Sequence, residues 1–317
     1  MKKLFFKSCL YVVLILITLE IIVRIFHLSK DNPSRFVDEF NVEKWVPNQE
    51  GYSVTGNRRQ NFSKFYINNS GYNSYREFAP TLNKKELALV GDSFIEGFHQ
   101  NYYNSIGKKI ENKLQDFEVY EYGYAGYDFA DQLHLIHAYK ETFDKIDYVV
   151  LGLKFENDLM RSEYNVVTDR MHLESPLYRN ARKIKLLVYT QNIGVLEPLW
   201  KLAGRIASIG KKANSNEEKE VTEAEIQYQQ NIYVDNFKSL IDKYGFDKTR
   251  FILLLNVDVT PQHFLDYLNK NNFEYIDFGN ALKQSKKPTT LIYDRHWNNH
   301  GREIIANLIA EHIKKSN

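Results

Sequence analysis

This chain of 317 residues has a single cysteine, Cys9, set inside an apolar N-terminal segment. No disulfide framework and no cysteine metal site can form within one such chain. Phe6-Lys7-Ser8 ahead of it lacks the small residues of a lipid-attachment site, so Cys9 reads as a membrane-buried bystander. The scarcity of thiols fits an oxidising compartment. A strong charge imbalance is also missing. The formal net charge is +2, which suggests neither a nucleic-acid partner nor a funnel for acidic substrates. There is no Gly-rich phosphate loop: Gly91 to Gly97 lacks the lysine such a loop needs, and Gly123-x-x-Gly126 alone is no dinucleotide fingerprint. No internal repeat is evident.

What is present is ample apolar material. A hydrophobic content of 43% allows a large core, so one sizeable domain plus appendages is expected. Aromatic residues make up 14%, with 22 Tyr and 20 Phe. Alongside abundant Lys, Asn and Ile they read as compositional bias rather than as sugar-stacking surfaces.

Met1-Lys2-Lys3 opens the chain, and residues 4–26 are mostly apolar, densest from Leu10 to Leu19. That core alone would suit a signal peptide, but no small-x-small cleavage site follows. Instead Glu20 to Phe26 continues the helical pattern, with Glu20 and Arg24 spaced to pair on one face. The segment reads as one uncleaved transmembrane helix. Lys2, Lys3 and Lys7 precede the apolar core, which points to a cytoplasmic N-terminus and a body outside the inner membrane. The expected organisation is an anchor over 1–30, a stalk with a hairpin-bearing lead-in over 31–85, and a main domain over 86–317.

From residue 86 strands and helices alternate. Strands are predicted at Glu86–Gly91, Phe117–Tyr122, Tyr148–Phe155, Arg250–Asn256 and Phe273–Phe278. Helices are predicted at Ser105–Leu114, at Asp128–Phe143 capped by Asp128, and at Gly301–Lys314 with Asn298 as N-cap. This alternation predicts an α/β fold, a parallel five-stranded sheet with helices on both faces. An insertion at about 159–222 interrupts it, basic and apolar at Tyr178–Tyr189 and charged at Gly210–Glu220. It reads equally well as a lid or partner surface and as a decoration.

Four polar segments fall at the carboxyl ends of these strands, where open α/β sheets place ligands. They are Gly91-Asp92-Ser93, Gly123-Tyr-Ala-Gly126, Glu156-Asn157-Asp158 and Tyr293-Asp294-Arg295-His296-Trp297-Asn298. Each alone is commonplace, but together they supply an acyl-transfer site. Ser93 needs a base, which His296 provides if Asp294 holds its other ring nitrogen. The oxyanion donors on offer are the Ser93 N–H, a glycine N–H after the second strand and the Asn157 amide.

Gly-Asp-Ser, Gly-x-x-Gly, Asn-Asp and Asp-x-His-Trp-Asn, taken in this order, resemble the SGNH hydrolases, the GDSL-type esterase superfamily. Ile67 to Gly71 and the Gly97 after the serine are similar to its membrane-anchored bacterial branch. The resemblance covers roughly 86–315. It implies a flavodoxin-like three-layer α/β/α sandwich and acyl hydrolysis or transfer without metal or organic cofactor. It puts the nucleophile on Ser93, the acid and base on Asp294 and His296, and the oxyanion partners on Gly126 and Asn157, with Gly123 the second choice for the glycine. The chain departs from the pattern at Glu121, where an asparagine is usual, and at Phe155, where a glycine is usual. Its Asp-x-His is one residue shorter than the commonest spacing and resembles the subset acting in polysaccharide O-acetylation.

The implied substrate is an acylated envelope carbohydrate or other small ester, with envelope acetylation proteins as candidate partners. A catalytically silent domain that binds glycan or scaffolds an envelope complex is the alternative from another class. His300 is a rival base, expected in the first turn of the closing helix. His134 and His137 share a helix face near Asp131, but two histidines without further ligands are usually structural.

Overall fold

The computed structural model describes residues 2–56, 59–195, 198 and 222–316. The charged stretch Gly210–Glu220 of the insertion lies outside the described residues. The chain divides into two compact units: residues 1–32, 51–62 and 168–220 form one, and 33–50, 63–167 and 221–317 the other.

In the first unit the N-terminal segment is a single 24-residue helix, α1 (Lys2–Ile25), long and apolar enough to cross a membrane. Its side chains from Leu4 to Ile22 are largely exposed within the protein. Arg24 Nε donates to Glu20 Oε1 at 2.7 Å, the pairing that their spacing predicts.

In the second unit β1 (Arg35–Val37) and β2 (Glu43–Trp45) pair antiparallel, with Phe36 opposite Lys44. Strand β3 (Glu50–Thr55) falls in the first unit except for Glu50, and β4 (Asn61–Tyr66) enters the second unit from Ser63 on. Ile67 then bridges Asn73 across the Asn69-Ser70-Gly71 turn.

The main sheet contains β5 (Lys85–Gly91), β6 (Phe117–Gly123), β7 (Tyr148–Gly152), β8 (Phe251–Leu255) and β9 (Tyr275–Asp277). All neighbours run parallel, in the order β6-β5-β7-β8-β9. Numbered by appearance this is 2-1-3-4-5, the doubly wound flavodoxin-like order, with its switch point between β5 and β7. Alternation along each strand sorts side chains into two cores. Ala88, Val90, Tyr120, Tyr122, Val149, Leu151, Leu253 and Leu255 pack on one face, against helices that include Phe129–Ala138, Glu223–Tyr244 and Gln262–Lys270. Leu87, Leu89, Val119, Val150, Ile252 and Leu254 pack on the other, against Ile106–Glu111 and the closing helix Asn299–Ser316. The result is the α/β/α sandwich that the sequence predicts. Val42, Trp45, Phe65, Ile67 and Tyr72 of the lead-in join the first core.

Some boundaries differ from the sequence pattern. The third strand ends at Gly152, not Phe155, because the Asp158 carboxylate accepts the Lys154 backbone N–H at 2.7 Å and turns the chain into a short helix. The predicted Asp128–Phe143 helix breaks at Tyr139, into Phe129–Ala138 and Lys140–Phe143. Asp128 caps it through a reciprocal pair with Asp131. Asn298 caps the closing helix, its Oδ1 accepting the Gly301 N–H at 2.9 Å. The helix Glu223–Tyr244 is absent from the sequence-based reading.

Candidate active site

Strand β5 is apolar on both faces and buried from Glu86 to Gly91, so it sits mid-sheet and delivers its last residues to the carboxyl rim. Asp92 leaves the strand in extended conformation and caps the short helix α2 (Ser93–Glu96), its Oδ1 accepting the Phe94 N–H at 2.9 Å. Gly97, in left-handed conformation, ends that helix. Helix α2 lies directly on the strand ends, and Gly123 makes this approach feasible. A Cβ there would stand 2.1 Å from the Glu96 backbone nitrogen. Gly123 is therefore a packing glycine, beneath the serine-bearing helix.

The last loop comes to meet this serine. Residues 289–298 form a small hairpin, with Thr290 bridged to Trp297 and the Leu291 N–H bonded to the His296 carbonyl at 3.0 Å. Trp297 is buried and anchors the hairpin, packing edge-on against Phe94 at 4.7 Å and Phe278 at 5.3 Å. At its tip Asp294 Oδ1 accepts the His296 backbone N–H at 3.0 Å and also engages the His296 Nδ1. One carboxylate oxygen thus fixes both the backbone and the ring of the residue two positions on, an Asx-type turn that accounts for the Asp-x-His spacing. His296 Nε2 then lies 2.7 Å from Ser93 Oγ. Burial pushes the Asp294 carboxyl up, but the hydrogen bonds from the His296 ring and backbone and the nearby His99 outweigh it and hold the group below its ordinary range.

His99 completes this group, and the sequence pattern did not single it out. Its ring stacks on His296 with centroids 4.0 Å apart, and its Nε2 lies 2.9 Å from Asp294 Oδ2. Burial, reinforced by His296, lowers its pKa to about 4 against the pull of Asp294. It is therefore neutral at pH 7 and donates through Nε2. His99, Asp294 and His296 offer ligand atoms within 4.8 Å of one another. In the structure His99 Nε2 faces Asp294 Oδ2 and His296 Nδ1 faces Asp294 Oδ1. Lys154 is a second residue not signalled by any motif: its ammonium pairs with Asp92 and lies 4.0 Å over the Phe94 ring.

The remaining predicted residues occupy the same rim. Gly126 (φ +91°) lies in the turn after β6 and is exposed. Asn157 is exposed on the short helix Phe155–Asp158 after β7. The turn around Gly126 is held from below by buried Glu96, whose Oε1 accepts the Ala125 N–H at 3.1 Å and the Trp45 indole N–H at 2.7 Å. Burial raises Glu96 to about 7. The rival histidines are held elsewhere. His300 Nε2 lies 2.9 Å from Ser285 Oγ, and His134 stacks on Tyr164 with its Nε2 2.9 Å from the Phe40 carbonyl.

No family model and no characterised protein matches the chain in sequence. Among solved structures it is similar to a lipolytic protein of the G-D-S-L family from Veillonella parvula, at 13% identity and a TM-score of 0.41, over 73% of this chain and 99% of that one. A lipase/acylhydrolase from Enterococcus faecalis is similar at 13% identity and a TM-score of 0.40, over 73% and 96% of the two chains. An acetylxylan esterase from Geobacillus stearothermophilus, in mutant form, is similar at 13% identity and a TM-score of 0.34, over 74% and 96%.

Proposed function

We propose that this chain is a serine esterase or O-acyltransferase of the SGNH type, acting on an acylated, and specifically acetylated, envelope glycan. The observation that carries this reading is the continuous contact from Ser93 Oγ through the His296 ring to Asp294, at the carboxyl rim of a doubly wound sheet. Ser93 Oγ attacks the ester carbonyl as its proton passes to His296 Nε2. The tetrahedral intermediate expels the alcohol, which takes that proton, and leaves an acyl group on Ser93. Water or a sugar hydroxyl then receives the acyl group, with His296 again acting as base. The Ser93 N–H opens a helix and so has no acceptor within it, which makes it the first oxyanion donor. Exposed Gly126 and Asn157 are the other two.

Helix α1 is read as a single-pass inner-membrane anchor through residues 4–26, with the N-terminus cytoplasmic and residues 86–317 outside as the acyl-transfer domain. The glycan substrate rests on that placement and on the motif resemblance.

Fluorophosphonate labelling and acetyl-ester hydrolysis test the reading. Wild-type protein should label and hydrolyse, Ser93→Ala should do neither, and a chelator should leave the rate unchanged. A wild-type protein that is inert toward the probe and toward short acetyl esters would make it the silent, glycan-binding alternative. A fully active Ser93→Ala protein would move the nucleophile elsewhere.

A further inference from the structure

The described residues 168–195 of the insertion belong to the same compact unit as α1, and the helix Lys185–Asn192 packs against α1. It contains helices α7 (Pro176–Lys183) and α8 (Lys185–Asn192). Glu20 accepts the backbone N–H groups of Lys185 at 3.0 Å and Leu186 at 2.6 Å, the first two residues of α8. Arg24 donates to the carbonyl of Lys183, the last residue of α7. The Lys185 ammonium pairs with Asp31, just past α1. The junction of α7 and α8 is thus pinned between Glu20 and Arg24.

That level along α1 is significant. At 1.5 Å per residue, the rise from Leu4 to Glu20 is about 24 Å and to Arg24 about 30 Å. A hydrocarbon core is about 30 Å thick, so a spanning α1 holds the α7–α8 junction at its edge. What α7 presents there is two-faced. Leu177, Tyr178 and Ala181 share one face by helical spacing, while Arg179, Arg182 and Lys183 lie on the other, and α7 has no acidic residue. Leu177 is 78% exposed, Tyr178 53% and Ile184 52%. Ile184, between the pinned Lys183 and Lys185, lies beside α1, whose own apolar side chains are likewise exposed, and Leu177 and Tyr178 extend along α7 from there. Exposed apolar side chains on a basic helix tied to α1 at this level mark an interaction surface.

We propose that α7 and the start of α8 seat on the membrane surface beside α1, with Leu177, Tyr178 and Ile184 entering the headgroup–acyl boundary and the α7 cations facing anionic headgroups. The tie of the α7–α8 junction to the end of the apolar stretch of α1, with the basic polar face of α7, singles out an anionic bilayer as the occupant. This inference rests on α1 spanning the membrane. It does not depend on the proposed chemistry at Ser93.

The test uses the full chain with Cys9→Ser, reconstituted in vesicles of phosphatidylcholine and phosphatidylglycerol. A single environment-sensitive fluorophore is attached at Leu177→Cys, at Ile15→Cys in α1, or at Val259→Cys in the second unit. Quenching by shallow nitroxide lipid at Leu177 should exceed that at Val259 at least twofold, and should exceed quenching by deep nitroxide lipid at the same site. Arg179→Glu with Arg182→Glu and Lys183→Glu should lower the Leu177 quenching at least twofold and leave Ile15 unchanged. Quenching at Ile15 but not Leu177 would overturn the proposal while keeping the anchor. Quenching at neither would remove the anchor reading with it. A shielded but lipid-insensitive Leu177 probe that becomes water-exposed when protein is diluted in lipid would assign the patch to a second copy and overturn the membrane seat.

Discussion

His99 shows what a single side chain adds to the serine site. Asp294 orients His296 with one oxygen, and His99 holds the other at 2.9 Å. Replacing His99 by Phe keeps a ring to stack on His296 and deletes the N–H. Loss of a hydrogen bond to a charged group is worth roughly 1.5–3 kcal/mol, so kcat on a short ester should fall about tenfold to a hundredfold. KM should stay close to wild type, and His99→Gln, which restores an N–H donor, should recover much of the loss. A His99→Phe protein with kcat within twofold of wild type would show that Asp294 needs no second donor. The sequence signalled Ser93, Asp294 and His296 because each sits in a short motif, Ser93 at the end of β5 and the other two in the loop ahead of the closing helix. His99 and Lys154 sit in no motif: their partners are brought to them by tertiary folding, from residues as distant in sequence as Asp294 and Asp92.

Among the elements, the short helix α2 and its glycine floor decide whether the serine is presented at all. Gly123→Ala would drive a methyl group into the Glu96 backbone nitrogen, 2.1 Å away, which no side-chain rotation relieves. Overpacking of this kind costs typically 1–3 kcal/mol, and more where backbone must move. Thermal unfolding should therefore drop by several degrees, with fluorophosphonate labelling of Ser93 slowed in the protein that remains folded. An unchanged Tm would mean that α2 does not rest on β6. The central strands were legible as unbroken apolar runs, and the caps at Asp128 and Asn298 as polar residues ahead of helical spacing. Helix Glu223–Tyr244 was not. It buries only Val234, Phe237 and Leu240 fully, so its apolar stripe is too thin to stand out against polar neighbours. The end of β7 was misplaced because Leu153-Lys154-Phe155 still reads as strand, while the turn depends on Asp158.

At the scale of the whole molecule, buried acids set the pH response. Burial raises Glu121 and Glu96 to about 7 and Asp158 to about 8. Each keeps its proton in the folded state up to that pH, whereas the unfolded chain releases it near 4. Between those limits the folded state binds more protons, so stability falls as pH rises, by up to about 3 kcal/mol for a shift such as that of Glu121. His99 acts with the opposite slope. The unfolded ring gains a proton below about 6.5 and the folded ring only near 4, so its contribution is lost as pH falls through that window. Above pH 6.5 the acids act alone. The Tm of wild type should decline from pH 6.5 to 8, and that of Glu121→Gln should decline less, the gap widening in the variant's favour. A gap independent of pH would mean that Glu121 ionises alike in both states. Composition and alternation made the fold class readable. They carried no sign of these acids, since burial of a carboxylate depends on which face of which strand meets which helix.

The contact between Ser93 and His296 joins residues 203 positions apart, and the hairpin that carries Asp294 and His296 lies just ahead of the closing helix. The nucleophile is thus made long before its base. Under the proposed chemistry and anchoring, a nascent chain tethered by α1 would carry an unarmed serine throughout its passage. Cleavage or premature termination anywhere before the hairpin yields an inert product, not a deregulated one. Activity is then a report that the chain has arrived at least as far as His296.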